Sequence, residues 1–260
     1  MAGKTKGFFW YELMTDDPKK AERFYTTVVG WTAKPFDGPN YDGTYTVLHS
    51  GERGVGGIMA MPEEYRQGGG HPAWIGYVYA DDVDAEAKAL KKAGGTVHRQ
   101  PQDIPDVGRF AVVSDPQGAM FQLLKPNGPD QPPVPVGTPG HIGWHELFTS
   151  DWKKALDFYS GQFGWKKTRE HDMGEMGIYA LFSMGGGIEH GGMMNKPPQI
   201  PRPVWQFYFN VADGIDAAAK RVTDNGGKAL MGPMEVPGGM WIVQCQDPQG
   251  AHFALTASVR

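Results

Sequence analysis

A sixteen-residue pattern occurs twice in this chain. W-x-E-L-x-T-x-D-x-K-K-A-x-x-F-Y runs from Trp10 to Tyr25 and again from Trp144 to Tyr159, at one constant offset and with every fixed letter kept. Both copies then pass through four residues into Gly-Trp, at Gly30-Trp31 and Gly164-Trp165. A second block follows each. Asp115-Pro116-Gln117-Gly118-Ala119 returns as Asp247-Pro248-Gln249-Gly250-Ala251, and Gly94-Gly95 returns as Gly226-Gly227. One domain has been duplicated and fused. The period is far beyond the roughly 20–50 residues of solenoids and propellers, so each copy is expected to be a compact unit with its own core. With 260 residues, 40% of them hydrophobic, the chain can supply two cores of about 130 residues each.

The boundary between the copies is compositional. From Lys125 to Gly140 the hydrophobic periodicity stops, and prolines stand at 126, 129, 132, 133, 135 and 139. That is the make-up of a semi-rigid extended connector, which at ~3.1 Å per residue spans roughly 40 Å. The expected division is domain 1 over 1–125, a Pro-rich linker over 126–140, and domain 2 over 141–260.

Within the first copy, Phe8 to Leu13 reads as a strand. A helix then opens at Asp17-Pro18, with Asp as N-cap and Pro at the first helical position. Ala21, Phe24, Tyr25 and Val28 form its buried stripe, and Gly30 ends it. Strands are expected at 45–49, 57–61, 74–80, 109–114 and 119–124, with a second helix marked by Val83, Ala87 and Leu90 and stopped by Gly94-Gly95. The second copy repeats this order, with Asp151 capping its first helix and Ile215, Ala219 and Val222 on its second. The chain thus holds four units of about 60 residues, each a strand, a helix and a small group of strands. Such a unit leaves one sheet face bare, and pairing two of them makes a curved sheet around a cup.

Several classes are excluded. No apolar run approaches the roughly 20 residues that span a bilayer, and the stretch from Met1 to Lys6 leads into an apolar segment too short for a signal-peptide core. A cytoplasmic protein is expected. The single cysteine, Cys245, rules out a disulfide framework or a Cys-rich zinc site, and it sits in an apolar run where a buried filler is the commoner role. A net charge of −4 without any Lys/Arg block argues against nucleic acid or an anionic membrane as partner. A small-molecule ligand is the partner expected. Oligomeric state is not encoded legibly.

The motifs D-x-x-x-A-x-x-F-Y-x-x-x-x-G-W, from Asp17 and Asp151, the segments Asp82 to Ala85 and Gly214 to Ala217, the Gly-Gly pairs and D-P-Q-G-A-x-F together resemble the vicinal oxygen chelate superfamily. That superfamily includes glyoxalase I, extradiol dioxygenases, fosfomycin-resistance enzymes and bleomycin-binding proteins. The resemblance covers nearly the whole chain, twice. It implies an α+β fold of two tandem glyoxalase-like domains, each built of two paired βαβββ units forming a curved, cup-shaped sheet. More narrowly, the tandem layout and W-x-E-L resemble the actinobacterial glyoxalase-like proteins described as an antigen.

The resemblance also implies where a divalent metal would be held: on the first and last strands of each βαβββ unit, by His, Glu or Gln, so that a Lewis acid grips two vicinal oxygens of the substrate. At the first-strand positions stand Trp10 and Trp144, with Glu12 and Glu146 two residues on and hence on the same strand face. The other positions carry Ile58 and Met193, Trp74 or Ile75 and Trp205 or Gln206, and finally Gln122 and Ala254, with His252 two residues before the latter. Most of the chelating set is missing, since a catalytic site usually needs three protein ligands. No metal ligand or cofactor is therefore assigned, and a divalent metal stays open. His145, Glu189 and His190 are either an unconventional site or surface residues.

Glu12 and Glu146 are the candidate catalytic carboxylates, with two readings: a general base in an apolar cup, or an inward carboxylate that satisfies nearby donors. The candidate ligand-binding residues are Trp10, Trp74, Arg109 and Gln122 in the first copy and Trp144, Trp205, Gln206 and His252 in the second. The aromatics suit a planar or amphipathic ligand, although core packing also accounts for most of them. Arg109 would anchor an anion, and Trp241 at its counterpart means the two cups would not recognise one molecule. The expected function is a glyoxalase-like small-molecule-handling protein, with lyase or isomerase chemistry if catalytic. The alternative is metal-independent sequestration of an aromatic metabolite or antibiotic.

Overall fold

Asp17 and Asp151 open equivalent helices. In the computed structural model, which describes residues 6–38, 45–129 and 131–260, each adopts an extended backbone and caps its helix by accepting from main-chain N–H groups. Asp17 takes the N–H of Lys20 at 3.0 Å, and Asp151 those of Lys153 and Lys154. The helices, α1 (Pro18–Val29) and α4 (Trp152–Phe163), end at Gly30 and Gly164, whose φ of 86° and 75° lie in the left-handed region that glycine reaches without strain. The segment 1–5, part of the stretch read above as too short for a signal core, and Asp130 in the connector lie outside the described residues.

Strand β1 (Phe8–Thr15) precedes α1, and β2 (Thr32–Pro35), β3 (Tyr45–Ser50) and β4 (Arg53–Ala60) follow it. A one-turn helix α2 (Glu63–Gln67) leads to β5 (Ala73–Tyr79), α3 (Val83–Lys92), β6 (Thr96–Ile104), β7 (Gly108–Ser114) and β8 (Met120–Pro126). The second repeat runs β9 (Ile142–Thr149), α4, β10 (Lys166–Asp172), β11 (Ile178–Ser183), β12 (Gly191–Asn195), β13 (Val204–Asn210), α5 (Ile215–Asp224), β14 (Lys228–Val236), β15 (Met240–Gln246) and β16 (His252–Ala257).

Each repeat makes one eight-stranded, unclosed mixed sheet, in the orders β2-β3-β4-β1-β5-β8-β7-β6 and β10-β11-β12-β9-β13-β16-β15-β14. Four βαβββ units are present, as expected. Four strands, β2, β6, β10 and β14, carry no clear sequence signal for a physical reason: they are sheet edges, mostly exposed, and one bare face removes the apolar alternation of a buried strand. Among the described residues no helix is long and apolar enough to cross a membrane.

The sheets follow the repeats, but the compact units do not. One unit comprises the residues through Trp10 with Gly76–Gln131 and Trp144–Trp205, and the other comprises Tyr11–Ile75, Pro132–Gly143 and Gln206–Arg260. Each therefore combines a βαβββ half from one repeat with a half from the other, rather than one repeat packing as its own core. The recurring motifs explain this. In the first unit the turn residue Gln117 grips the main chain of Asp151 twice, accepting from its N–H at 2.7 Å and donating to its carbonyl at 2.9 Å. Trp205 Nε1 donates to the Tyr159 hydroxyl at 2.9 Å, which donates to Asp115 at 3.3 Å. In the second unit Gln249 holds Asp17 in the same way, at 2.6 and 2.9 Å, and Trp74 donates to Tyr25, which donates to Asp247 at 3.1 Å.

The connector is docked rather than free-standing over its later half. Within the second unit, Trp31 Nε1 donates to the Gly140 carbonyl at 2.7 Å, Ser50 to that of Pro139 at 3.2 Å, and the Arg53 guanidinium to that of Pro132.

Candidate functional site

Strand β9 alternates its side chains between the α4 side and the open sheet face, and Trp144 and Glu146 share the open face. Trp144 Nε1 donates to the Tyr179 hydroxyl at 2.8 Å, and Tyr179, from β11, bonds in turn to Glu146, which is buried. The polarity of this chain is set by chemistry. An indole N–H only donates, so the tyrosine oxygen accepts it and sends its own proton to the carboxylate. Burial, reinforced by the Glu146 charge, holds the Tyr179 phenol well above its ordinary range, so the phenol stays protonated as the donor.

Tyr179 reaches Glu146 by lying across the intervening strand β12. Gly192 is the β12 residue in register with Glu146, and a Cβ there would overlap the Tyr179 ring. In the other unit, Glu12 is likewise buried and in register with Gly57 of β4, where a Cβ would overlap the Tyr45 side chain. Tyr45 and Tyr179 were missed by reasoning from the sequence. Their signal was present: the spacing that relates Trp10 to Trp144 also relates Tyr45 to Tyr179.

The amides form a second group. Gln122 on β8 is buried in register with Tyr77 of β5 and Val112 of β7, and its Oε1 has no hydrogen-bond partner. Gln206 on β13 is buried, and its Nε2 has none. Both point away from the helices. Their strand neighbours Phe121 and Trp205 face the other way, onto Tyr159 of α4. Glu12 and Gln206 fall in one unit, and Glu146 and Gln122 in the other.

The remaining candidates are placed differently. Trp74 and Trp205 are buried on the helix-facing side, with their indole N–H groups committed to Tyr25 and Tyr159. Trp10 is half-buried in β1. Arg109 has its guanidinium held by Asp84 at 2.5 and 2.9 Å, by Asp103 at 3.0 Å and by the Pro101 carbonyl. His252 lies at an exposed strand start with its Nε2 3.3 Å from Gln246 Nε2.

His145 is not a surface residue. It is buried, stacks on Phe8 at 5.1 Å and places Nδ1 2.8 Å from the His190 carbonyl oxygen, and burial pushes its pKa down to about 4. Glu189 is a surface group, paired with Arg169 at 2.8 Å. A shallow cleft of about 430 Å³ opens beside α4 at Pro116, Lys154 and Phe158 rather than at Glu146.

The donor set does not fit a chelated metal. Among the described residues no three His, Cys, Asp or Glu side chains come together as an ion would require. Tyr179 bonds to Glu146 as a hydrogen-bond donor, and Trp144 donates in turn to Tyr179.

The model of the Glyoxalase/Bleomycin resistance protein/Dioxygenase superfamily matches residues 7–123 and 139–255. The chain belongs to that superfamily. Among its relatives is the anthracycline biosynthesis protein DnrV of Streptomyces peucetius, 32% identical over 95% of this chain and 91% of that one. CFP32 of Mycobacterium bovis is 44% identical over 129 residues, which cover 48% of this chain and 46% of that protein. The Mn(II)-bound glyoxalase from Novosphingobium aromaticivorans has the same fold, with a TM-score of 0.65 over 98% of this chain and 83% of that one at 16% identity.

Proposed function

We propose that this glyoxalase-superfamily chain binds a small, planar organic molecule on its open sheet faces and carries out non-redox proton-transfer chemistry of the lyase or isomerase kind through Glu146. The observation that carries the reading is the directed chain from Trp144 through Tyr179 to Glu146. A carboxylate is an acceptor only, so a group that receives a phenol proton at one oxygen is of the kind that can take a ligand proton. In such a step Glu146 takes the proton from a carbon beside a ligand carbonyl and returns it to a neighbouring atom, while Tyr179 holds the carboxylate in place. The similarity to a protein named for anthracycline biosynthesis supports a planar, ring-containing ligand. A cytoplasmic location is part of the same proposal, in keeping with the lone, buried Cys245.

Sequestration without turnover is a second reading, favoured by the absence of a chelating cluster among the described residues. One experiment separates the two. Thermal shift is screened against ketoaldehyde–thiol adducts and planar aromatics, and each binder is followed by NMR for solvent deuterium entering the carbon beside its carbonyl. Exchange in the native protein that Glu146→Gln abolishes, with binding retained, supports catalysis. Binding without exchange supports sequestration. Exchange that survives Glu146→Gln removes Glu146 from the mechanism.

A further inference from the structure

One hairpin differs between the repeats. In the first, β3 and β4 stay paired as far as Ser50 and Arg53 and turn through Gly51 and Glu52. In the second, the pairing of β11 with β12 stops at Phe182 and Gly191, and the residues from Ser183 to His190, S-M-G-G-G-I-E-H, form a loop instead. Gly186 and Gly187 lie in the left-handed region, with φ of 67° and 74°, and both are exposed. Beyond the His190 N–H, which donates to the Phe182 carbonyl at 2.9 Å, ladder bonds no longer hold this segment.

His190 holds it. Its ring Nδ1 accepts the main-chain N–H of Met184 at 3.2 Å, and the ring donates to the Ile188 carbonyl, so one imidazole ties the first arm of the loop to the last. An amide N–H only donates and a carbonyl only accepts, which fixes Nδ1 as the bare nitrogen and the neutral ring as the form that fits. His145 braces the same point: its main-chain N–H and its Nδ1 both donate to the His190 carbonyl, at 3.0 and 2.8 Å. Met184 is pinned from its other side, where its sulfur accepts the Phe8 N–H at 3.4 Å. At the places of His190 and His145 the first repeat carries Val55 and Tyr11, so the imidazole clasp is a feature of the second repeat.

The adjoining carboxylate, Glu189, is taken by Arg169 at 2.8 Å and by Thr168 at 2.9 Å. The other titratable groups about the loop are His145 on β9, which burial keeps neutral, and Lys166, His171 and Lys167 on β10, the last paired with Glu170; β12 and the start of β1 bring none. Burial holds the His190 pKa below its ordinary value.

We propose that His190 is an acid-released latch: neutral, it clasps the Ser183–His190 loop through Met184 and Ile188, and a proton on Nδ1 sets donor against donor and frees the loop. The closed loop requires a bare Nδ1 and the open loop exposes an ordinary imidazole, so acid favours opening and neutral pH favours closure. The loop lines a cleft of about 360 Å³ with Gly164, Lys166 and Lys167, and it runs directly into Gly191 and Gly192, the latter beneath the Tyr179 ring. Opening therefore bears on the strand that seats the Glu146 cluster. The latch stands on the loop's own bonds, with or without a ligand on the open sheet face.

Hydrogen exchange of the Met184 amide, read as a protection factor at about pH 7 and about pH 4.5 beside that of Leu147 in β9, tests the latch. In the native protein, Met184 protection is expected to fall at least about 10-fold in acid relative to Leu147, with a midpoint that follows the His190 ring proton in NMR. His190→Asn places an amide oxygen where Nδ1 stood and cannot titrate, so Met184 should stay protected at both pH values. His190→Phe has no acceptor, and its Met184 should exchange readily at both. His145→Asn, which removes the other imidazole, should keep the fall in acid. Native Met184 protection that holds through the His190 titration, or a fall that survives in His190→Asn, overturns the latch. So does a His190 ring that takes up no proton by about pH 4.5. Should His190→Asn unfold, seen as lost Leu147 protection, the two native midpoints decide, and a separation of more than about one pH unit overturns the latch.

Discussion

Tyr159, from the second repeat, donates its hydroxyl to Oδ2 of Asp115, from the first, at 3.3 Å. Oδ1 of the same aspartate accepts the backbone N–H groups of Gln117 at 2.8 Å and Ala119 at 2.9 Å. The D-P-Q-G turn is therefore more than a turn. Its aspartate organises the loop with one oxygen and anchors α4 with the other, and Tyr25 and Asp247 do the same for α1 in the second unit.

Removing one hydroxyl from this arrangement leaves a buried carboxylate oxygen and a buried indole N–H without their partner. Tyr159→Phe should cost about 1–3 kcal/mol, and Tyr25→Phe a similar amount. Urea denaturation measures both, and a variant as stable as the native chain would show the bonds to be energetically idle.

Acid should weaken the fold through His145. Burial lowers its pKa from 6.5 to about 4, so between those values the unfolded chain takes up a proton that the folded chain refuses. Stability is then full above about pH 6.5, falls as the pH drops toward about 4, and levels off below, the total loss being at most about 3 kcal/mol. His190, also lowered by burial, acts in the same direction. The urea midpoint followed from pH 7 to pH 4 should fall more steeply in the native protein than in His145→Asn.

Two glycines should respond oppositely to alanine. Gly161 lies in α4 with no atom near where its Cβ would be, so Gly161→Ala should stabilise by about 0.5–1 kcal/mol. Gly192 lies beneath the Tyr179 ring, and Gly192→Ala should displace that ring and lower stability by about 1–3 kcal/mol through overpacking. Thermal melts of the pair give the signs. Ultraviolet difference spectra of Gly192→Ala should also show a more exposed tyrosine.

Arg109→Ala should leave ligand binding unchanged. The guanidinium is spent on two exposed carboxylates and a carbonyl, and exposed ion pairs contribute little. An anionic ligand that binds the native chain but not this variant would restore Arg109 to the site.

Much of the fold was legible along the chain because its signals are local. Helix caps at Asp17 and Asp151, the Phe24-Tyr25 and Phe158-Tyr159 stripes and the glycine stops each act within one or two turns of backbone. The candidate site was only half legible. Glu12, Glu146, Gln122 and Gln206 could be placed by counting along strands, whereas the turn of Trp74 and Trp205 toward the helices could not. Strand alternation says which residues share a face, not which face meets the helices. Tyr179 escaped because it reaches Glu146 across a whole strand, a contact that exists only because Gly192 has no side chain.

By itself the sequence determined the duplication and the four strand-helix-strands units, which rest on spacing, capping and periodicity, and its motifs carried the resemblance to the superfamily. Tertiary structure decided that the halves of the two repeats interleave into compact units, that Tyr179 completes the Glu146 cluster, and which buried amides are left without a partner. Those are contacts between residues far apart along the chain. Their partners are chosen by packing and hydrogen-bond satisfaction in three dimensions, and no local pattern in the chain encodes that choice.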